Sequence, residues 1–271
     1  MMLFTLIASY ICLPFGLTKI AFASSEFEGL LISPATMDIE LGGGESYTGK
    51  LAVKNSTSSS MEVSMSVGSY NLDDGNYDSP DYDDVGQYNE IVNWISLDKD
   101  DFTLQPNEMA IVQYRIETPK DPPSGTQYAV IFASVGDSRV GMFIQALVQG
   151  GNVIKDTSVR NRTSMFQATN QPTVDFIVVN KGNVASNVDY EVSISSASTG
   201  KTVGEVAGRT SFVYPGTSRC YNIELGKKLD WGVYDVEIHV DTVDENRVIR
   251  KTIVLEPLTW YIKLFLQTLQ A

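Results

Sequence analysis

The chain has 271 residues, room for one or two domains with substantial cores, and 43% of them are hydrophobic. A formal charge of −13 argues against nucleic acid as a partner, because a phosphate backbone would meet net repulsion. Of the two cysteines, Cys12 lies in an N-terminal apolar run, so the fold must rest on packed cores without an internal disulfide framework.

In chain order, the apolar run 3–17 leads to Ala21-Phe22-Ala23, a small-residue cleavage pattern. Residues 1–23 are therefore expected to be a signal peptide and the protein to be exported to the extracellular face of the cell envelope. Residues 24–155 read as strands. MEVSMSV (61–67) alternates Met61, Val63, Met65 and Val67 with Glu62, Ser64 and Ser66, the period of two expected of a half-buried strand. IVQYRIE (111–117) repeats that period through Val112, Tyr114 and Ile116. YAVIFASV (128–135) and GMFIQALV (141–148) are apolar almost throughout, as central strands covered on both faces are. Turn-forming clusters separate these runs at LGGGES (41–46), NSTSSS (55–60), QPNE (105–108) and PKDPPSG (119–125).

The polar stretch 156–171 reads as a linker. A second set of strands follows over 172–256, including VDYEVSI (188–194) and YDVEIHVD (234–241), with turns at NKGN (180–183) and YPGTS (214–218). The fold class is all-β: two antiparallel Ig-like β-sandwiches in tandem. Residues 257–271 form an apolar C-terminal segment, expected as a short helix below the roughly 20 residues a membrane span requires. Trp260, Tyr261 and Phe265 in it suit contact with a membrane interface.

The densest charge run is LDDGNYDSPDYDDVGQYNE (72–90), which has no Lys or Arg. Within it, Asp74, Asn76 and Asp78 follow the D-x-N-x-D spacing with which a calcium loop begins, although Ser79 replaces that loop's glycine and Val85 its bidentate Glu. Tyr77, Tyr82 and Tyr88, with Trp94 beyond, interleave rings with carboxylates in a pattern that can contact a glycan or a protein. The competing reading is a solvated insertion whose charge discourages edge pairing. Catalysis has little to stand on. Cys220 lies in the strand-like RCYNIEL, and the sole histidine, His239, alternates with Asp235, Glu237 and Asp241 on one exposed strand face. An enzyme is not expected.

The succession ISPATMDIELGGGESYTGKLAVKNSTSSS, NWISLDKDDFTLQPNEMAIVQYRIETPKDPPSGTQYAVIFASV and GMFIQALV resembles the N-terminal domain of the WxL-interacting surface proteins of Gram-positive bacteria. It is more distantly similar to the periplasmic pilus-chaperone domain. VDFIVVNKGNV, YPGTSR and WGVYDVEIHV resemble the Ig-like second domain of the surface proteins. In that segment Gly182-Asn183 is expected to supply the positive-φ positions of a tight hairpin, and Pro215-Gly216 a second turn. The resemblance implies a non-enzymatic envelope protein that binds peptidoglycan (a cell-wall glycan) or another surface protein and needs no cofactor. The alternatives are a pilus-type assembly chaperone and a calcium-dependent binding module. Against the chaperone, the first strand from Leu30 to Leu41 carries no arginine for a subunit's carboxylate.

Overall fold

In the computed structural model, residues 29–72, 77, 80–242 and 246–257 are described. The expected signal peptide, the C-terminal segment from residue 258 on with Trp260, Tyr261 and Phe265, and the candidate calcium ligands Asp74, Asn76 and Asp78 lie outside the described residues.

The architecture is all-β, two sandwiches in tandem. In the first, one sheet runs β1 (Leu30–Ser33), β3 (Ser46–Asn55), β7 (Met109–Glu117), β5 (Ile95–Leu97). The facing sheet runs β2 (Thr36–Gly42), β9 (Ser138–Gln149), β8 (Gly125–Val135), β4 (Met61–Gly68), β6 (Asp101–Leu104). In the second sandwich the sheets are β10 (Thr157–Asn161), β12 (Thr173–Asn180), β15 (Ser218–Glu224) and β11 (Phe166–Gln167), β17 (Asn246–Leu255), β16 (Gly232–Asp241), β13 (Asp189–Ser196), β14 (Thr202–Arg209). A short 3-10 helix, Glu90–Trp94, precedes β5.

Sequence period and burial agree where the pattern is strict. Along β4, Val63 and Met65 are buried while Glu62, Ser64 and Ser66 face water; along β16, Tyr234, Val236, Ile238 and Val240 are buried. Leu51, Ile116, Ile131 and Ile144 fill the first core, and Phe176, Ile194, Ile238 and Ile253 the second. Each such side chain contributes about 1.5–3 kcal/mol by leaving water.

Both sandwiches divide their first strand between two sheets. β1 pairs antiparallel with β3, the chain crosses at Ser33–Pro34, and β2 then runs parallel to β9. Likewise β10 pairs antiparallel with β12, and β11 runs parallel to β17. The stretch 156–171, expected as a linker, therefore carries the divided first strand of the second sandwich. Its polarity is absorbed locally: Thr157 Oγ1 donates to Ser186 Oγ (2.8 Å), and Gln167 Nε2 donates to the carbonyl of Thr173 (2.8 Å).

A buried asparagine closes each second strand. Asn55 Nδ2 reaches the carbonyls of Ser59, Leu104 and Gln105, and Asn180 Nδ2 those of Val184 and Val213. Gly182-Asn183 does not form the expected positive-φ turn, since neither residue is among those with positive φ; Gly216, at φ 72°, does. Gly182 instead lies where an added Cβ would sit 2.3 Å from the carbonyl oxygen of Ile154, so it is glycine for close approach.

Candidate functional site

β8 is buried on both faces, as its composition requires. Its inward residues Ala129, Ile131 and Ala133 belong to the first core; its outward residues Tyr128, Val130 and Phe132 are only 2%, 5% and 7% exposed. What covers the outward face is the acidic segment following β4, together with a turn of the second sandwich. Beyond Gly68 the β4 ladder ends, and the segment supplies the missing pairings. Tyr128 N–H donates to the carbonyl of Tyr88 (2.8 Å), and Asn89 Nδ2 donates to the carbonyls of Tyr70 (2.8 Å) and Tyr128 (3.2 Å). Asn71 and Asp81 pair with each other across this segment through two backbone hydrogen bonds (2.8 Å each).

The tyrosines of this segment turn inward, while Asp83 and Asp84 face water. Tyr70 packs edge-on against Phe143 (ring centroids 4.8 Å apart) and Tyr214 (5.7 Å), and Tyr128 meets Tyr214 at 4.5 Å. Tyr77 is held by the second sandwich. Its ring stacks on Tyr214 at 5.5 Å, and the Arg219 guanidinium lies over it at 4.4 Å. Thr217 Oγ1 donates to the carbonyl of Tyr214 (2.8 Å), so the Tyr77 hydroxyl donates to Thr217 Oγ1 (2.6 Å) and accepts from Tyr214 N–H (3.0 Å). Replacing Tyr77 with Phe is expected to cost about 1–2 kcal/mol and to speed amide exchange at Tyr214, whose partner it removes. An unchanged exchange rate there would contradict the latch.

Burial pushes the hydroxyls of Tyr70, Tyr77, Tyr128 and Tyr214 above the ordinary tyrosine value of 10.0. A group whose folded value is raised stabilises fully below its unfolded value and loses that contribution as pH climbs through the folded one. Stability is therefore expected to fall as pH rises past 10.0, the unfolded tyrosine value. In an alkaline titration a subset of tyrosinate absorbance should appear together with loss of the β-sheet circular dichroism signal. Full ionisation with the signal intact would contradict it.

Towards the β8–β9 turn this aromatic layer opens into a cleft of about 490 Å³ lined by Tyr70, Tyr82, Phe132, Arg139, Phe143 and Tyr214. The Arg139 guanidinium covers the rings of Phe132 (4.5 Å) and Tyr82 (4.8 Å) at its rim. Gly141 forms part of the floor: a Cβ there would stand 2.5 Å from Val130 Cγ1 and 3.1 Å from the Phe132 ring.

The cleft borders an open strand edge. β2 reaches β9 only from Phe143 to Gln149, while Ser138 to Met142 pair with β8 alone. Phe143 N–H donates outward to the carbonyl of Ala35 (2.9 Å), and backbone direction alternates along a strand. Arg139 and Gly141 therefore present their own N–H and C=O groups to the open edge.

Of the sequence-derived contact candidates, the structure brings Tyr77, Tyr82 and Tyr88 to this face. Tyr82 lines the cleft, Tyr77 is engaged by the second sandwich, and Tyr88 is half-buried over Gly216. Trp94 stands apart, packed against the first core. Arg139 and Phe143 were not singled out by sequence, because an arginine after a turn and a phenylalanine in an apolar strand carry no signal of their own. His239 and Cys220 do not meet. His239 Nε2 lies 2.8 Å from Glu237 Oε1 on an exposed face of β16, and exposed Cys220 pairs in register with Ile177 on another sheet.

No family model matches the chain, and no curated protein matches it. Among solved structures it is similar to the class 5 fimbriae chaperone CfaA, with 11% identity, 84% of this chain and 100% of that chain covered, and a TM-score of 0.41. The Pseudomonas aeruginosa CupB2 chaperone matches at 13% identity, 83% and 100% coverage and TM-score 0.36. The E. coli chaperone DraB matches at 16%, 84% and 98%, and 0.36. Scores this low carry no functional inference, so the reading comes from the chain's own geometry.

Proposed function

We propose that the chain is an exported, non-enzymatic binding protein of the assembly-chaperone type, which takes up an extended segment of another exported protein by adding it as a strand beside β9. The observation that carries this reading is the open edge at Ser138 to Met142, where the backbone groups of Arg139 and Gly141 face outward without a strand partner. An extended peptide continuing the line of β2 gains backbone hydrogen bonds along this edge. Its alternate side chains fall on the cleft face, which supplies selectivity. Backbone-directed binding of this kind suits a protein that handles several related subunits. It favours a protein ligand over the cell-wall glycan.

The test is an array of short alternating, strand-forming peptides offered to the full chain, followed by amide exchange on the complexes. Peptides that bind should slow exchange at Arg139 and Gly141. If no peptide protects these amides while purified wall sacculi are retained by the protein, the glycan-binding surface protein is the correct reading instead.

A further inference from the structure

We infer that the cleft beside β9 selects a bound strand by a pair of side chains two positions apart, one acidic and one aromatic or long aliphatic. The inference rests on the proposed strand addition and names the chemistry that addition recognises.

A strand laid against β9 repeats its side chains on the same face every second residue, at about 6.6 Å. The two cleft-face positions of β9 along the open edge are Arg139 and Gly141. Opposite Gly141 there is no side chain to meet, and the space is bounded by Phe132, Phe143 and Tyr214. An aromatic or long aliphatic ligand side chain fills it and leaves water in doing so. Opposite Arg139 the requirement is electrostatic. Its guanidinium is fixed over two rings and makes no ion pair with a carboxylate among the described residues. It is a held cation at the rim of an apolar cleft in a chain of net charge −13. A planar guanidinium held in this way offers its remaining N–H donors to a carboxylate. An acidic ligand side chain is matched there, whereas a basic one is repelled and leaves Arg139 unpaired. The inward-facing position between them, Val140, packs against the first core and asks only for a small apolar neighbour.

The experiment uses C-terminally amidated decapeptides of alternating Thr and Val, carrying Glu-x-Phe, Lys-x-Phe or Glu-x-Ser at the centre. Binding to the full chain is followed by fluorescence anisotropy. Amidation removes the terminal carboxylate as a competing source of negative charge. The Glu-x-Phe peptide is expected to bind about tenfold tighter than either of the others. Arg139→Glu should reverse the preference between Glu and Lys, and Arg139→Gln should abolish it with the fold intact by circular dichroism. Equal binding of all three peptides, untouched by Arg139→Glu, overturns the inference and leaves strand addition standing. Binding of none of them, with amide exchange at Gly141 unchanged, overturns strand addition itself. Binding of N-acetylglucosamine oligomers that is lost in Arg139→Gln would assign the cleft to a glycan and overturn both.

Discussion

Replacing Asn180 with alanine is expected to lower the unfolding free energy by about 3 kcal/mol. The side chain is 1% exposed and fully used. Its Nδ2 donates to the carbonyls of Val184 (2.7 Å) and Val213 (2.9 Å), and its Oδ1 accepts from Gly182 N–H (3.0 Å). Truncation takes the partner from the Val184 carbonyl and the Gly182 N–H, while the Val213 carbonyl keeps Ser186 N–H (3.0 Å), and each buried orphan costs about 1–3 kcal/mol before water or backbone shifts relieve part of it. Asn180→Asp separates hydrogen bonding from packing, since it keeps the volume but offers no N–H to two carbonyls. It should be at least as damaging at neutral pH. Denaturant unfolding of both variants is the measurement, and a loss under about 1 kcal/mol for the alanine variant would show that the loop holds itself. Asn55 does the same work in the first sandwich, where Thr57 N–H also donates to its Oδ1 (2.9 Å).

These two asparagines mark how far the sequence can be read. VKN before STSSS and VVN before KGN are visible as strand ends, and turn chemistry follows each. Turn propensity alone cannot tell an asparagine that adopts positive φ from one whose amide braces a loop many residues away. At Asn180 one such partner is the carbonyl of Val213, 33 residues further along the chain. Where burial alternates strictly, as in β4, β7, β13 and β16, the fold was legible, because a period of two needs no knowledge of partners. The divided strand at Thr157–Asn161 and Phe166–Gln167 was not, because each half is short and its buried Thr157 and Gln167 are polar.

The site was legible in halves. β8 announced that both its faces are covered, but not by what. Tyr70, Tyr77 and Tyr82 follow no strand or helix period, and the carboxylates between them dominate any reading of that segment. Only the folded chain shows those rings turned in, with Asp83 and Asp84 beyond them facing water. The open edge was out of reach altogether, since it depends on β2 beginning at Thr36 after the crossing from the other sheet.

Gly125→Ala is expected to be the other severe substitution, and it tests whether the two sandwiches act as a unit. Gly125 has φ 113°, a conformation costing a non-glycine residue about 1–3 kcal/mol. A Cβ there would also stand 2.1 Å from the carbonyl oxygen of Asn183 in the second sandwich. That carbonyl accepts from Thr126 N–H (2.8 Å), Asn183 Nδ2 donates to the carbonyl of Ser124 (3.1 Å), and Ala185 N–H donates to Thr126 Oγ1 (2.9 Å). Because the methyl group meets backbone, relief requires moving one sandwich against the other, and the total loss should reach about 3 kcal/mol or more. Gly136→Ala is the control. Its φ of 56° is also left-handed, yet nothing lies within 4 Å of the added carbon, so about 1–2 kcal/mol is expected. Thermal melting ranks the two. Small-angle scattering then separates local strain from altered docking, since only Gly125→Ala should enlarge the particle. The cleft borrows Tyr214 from the second sandwich, so the same variant should weaken strand binding without touching Arg139 or Gly141. If both variants melt alike and scatter alike, the contact at Asn183 is incidental and the cleft belongs to the first sandwich alone.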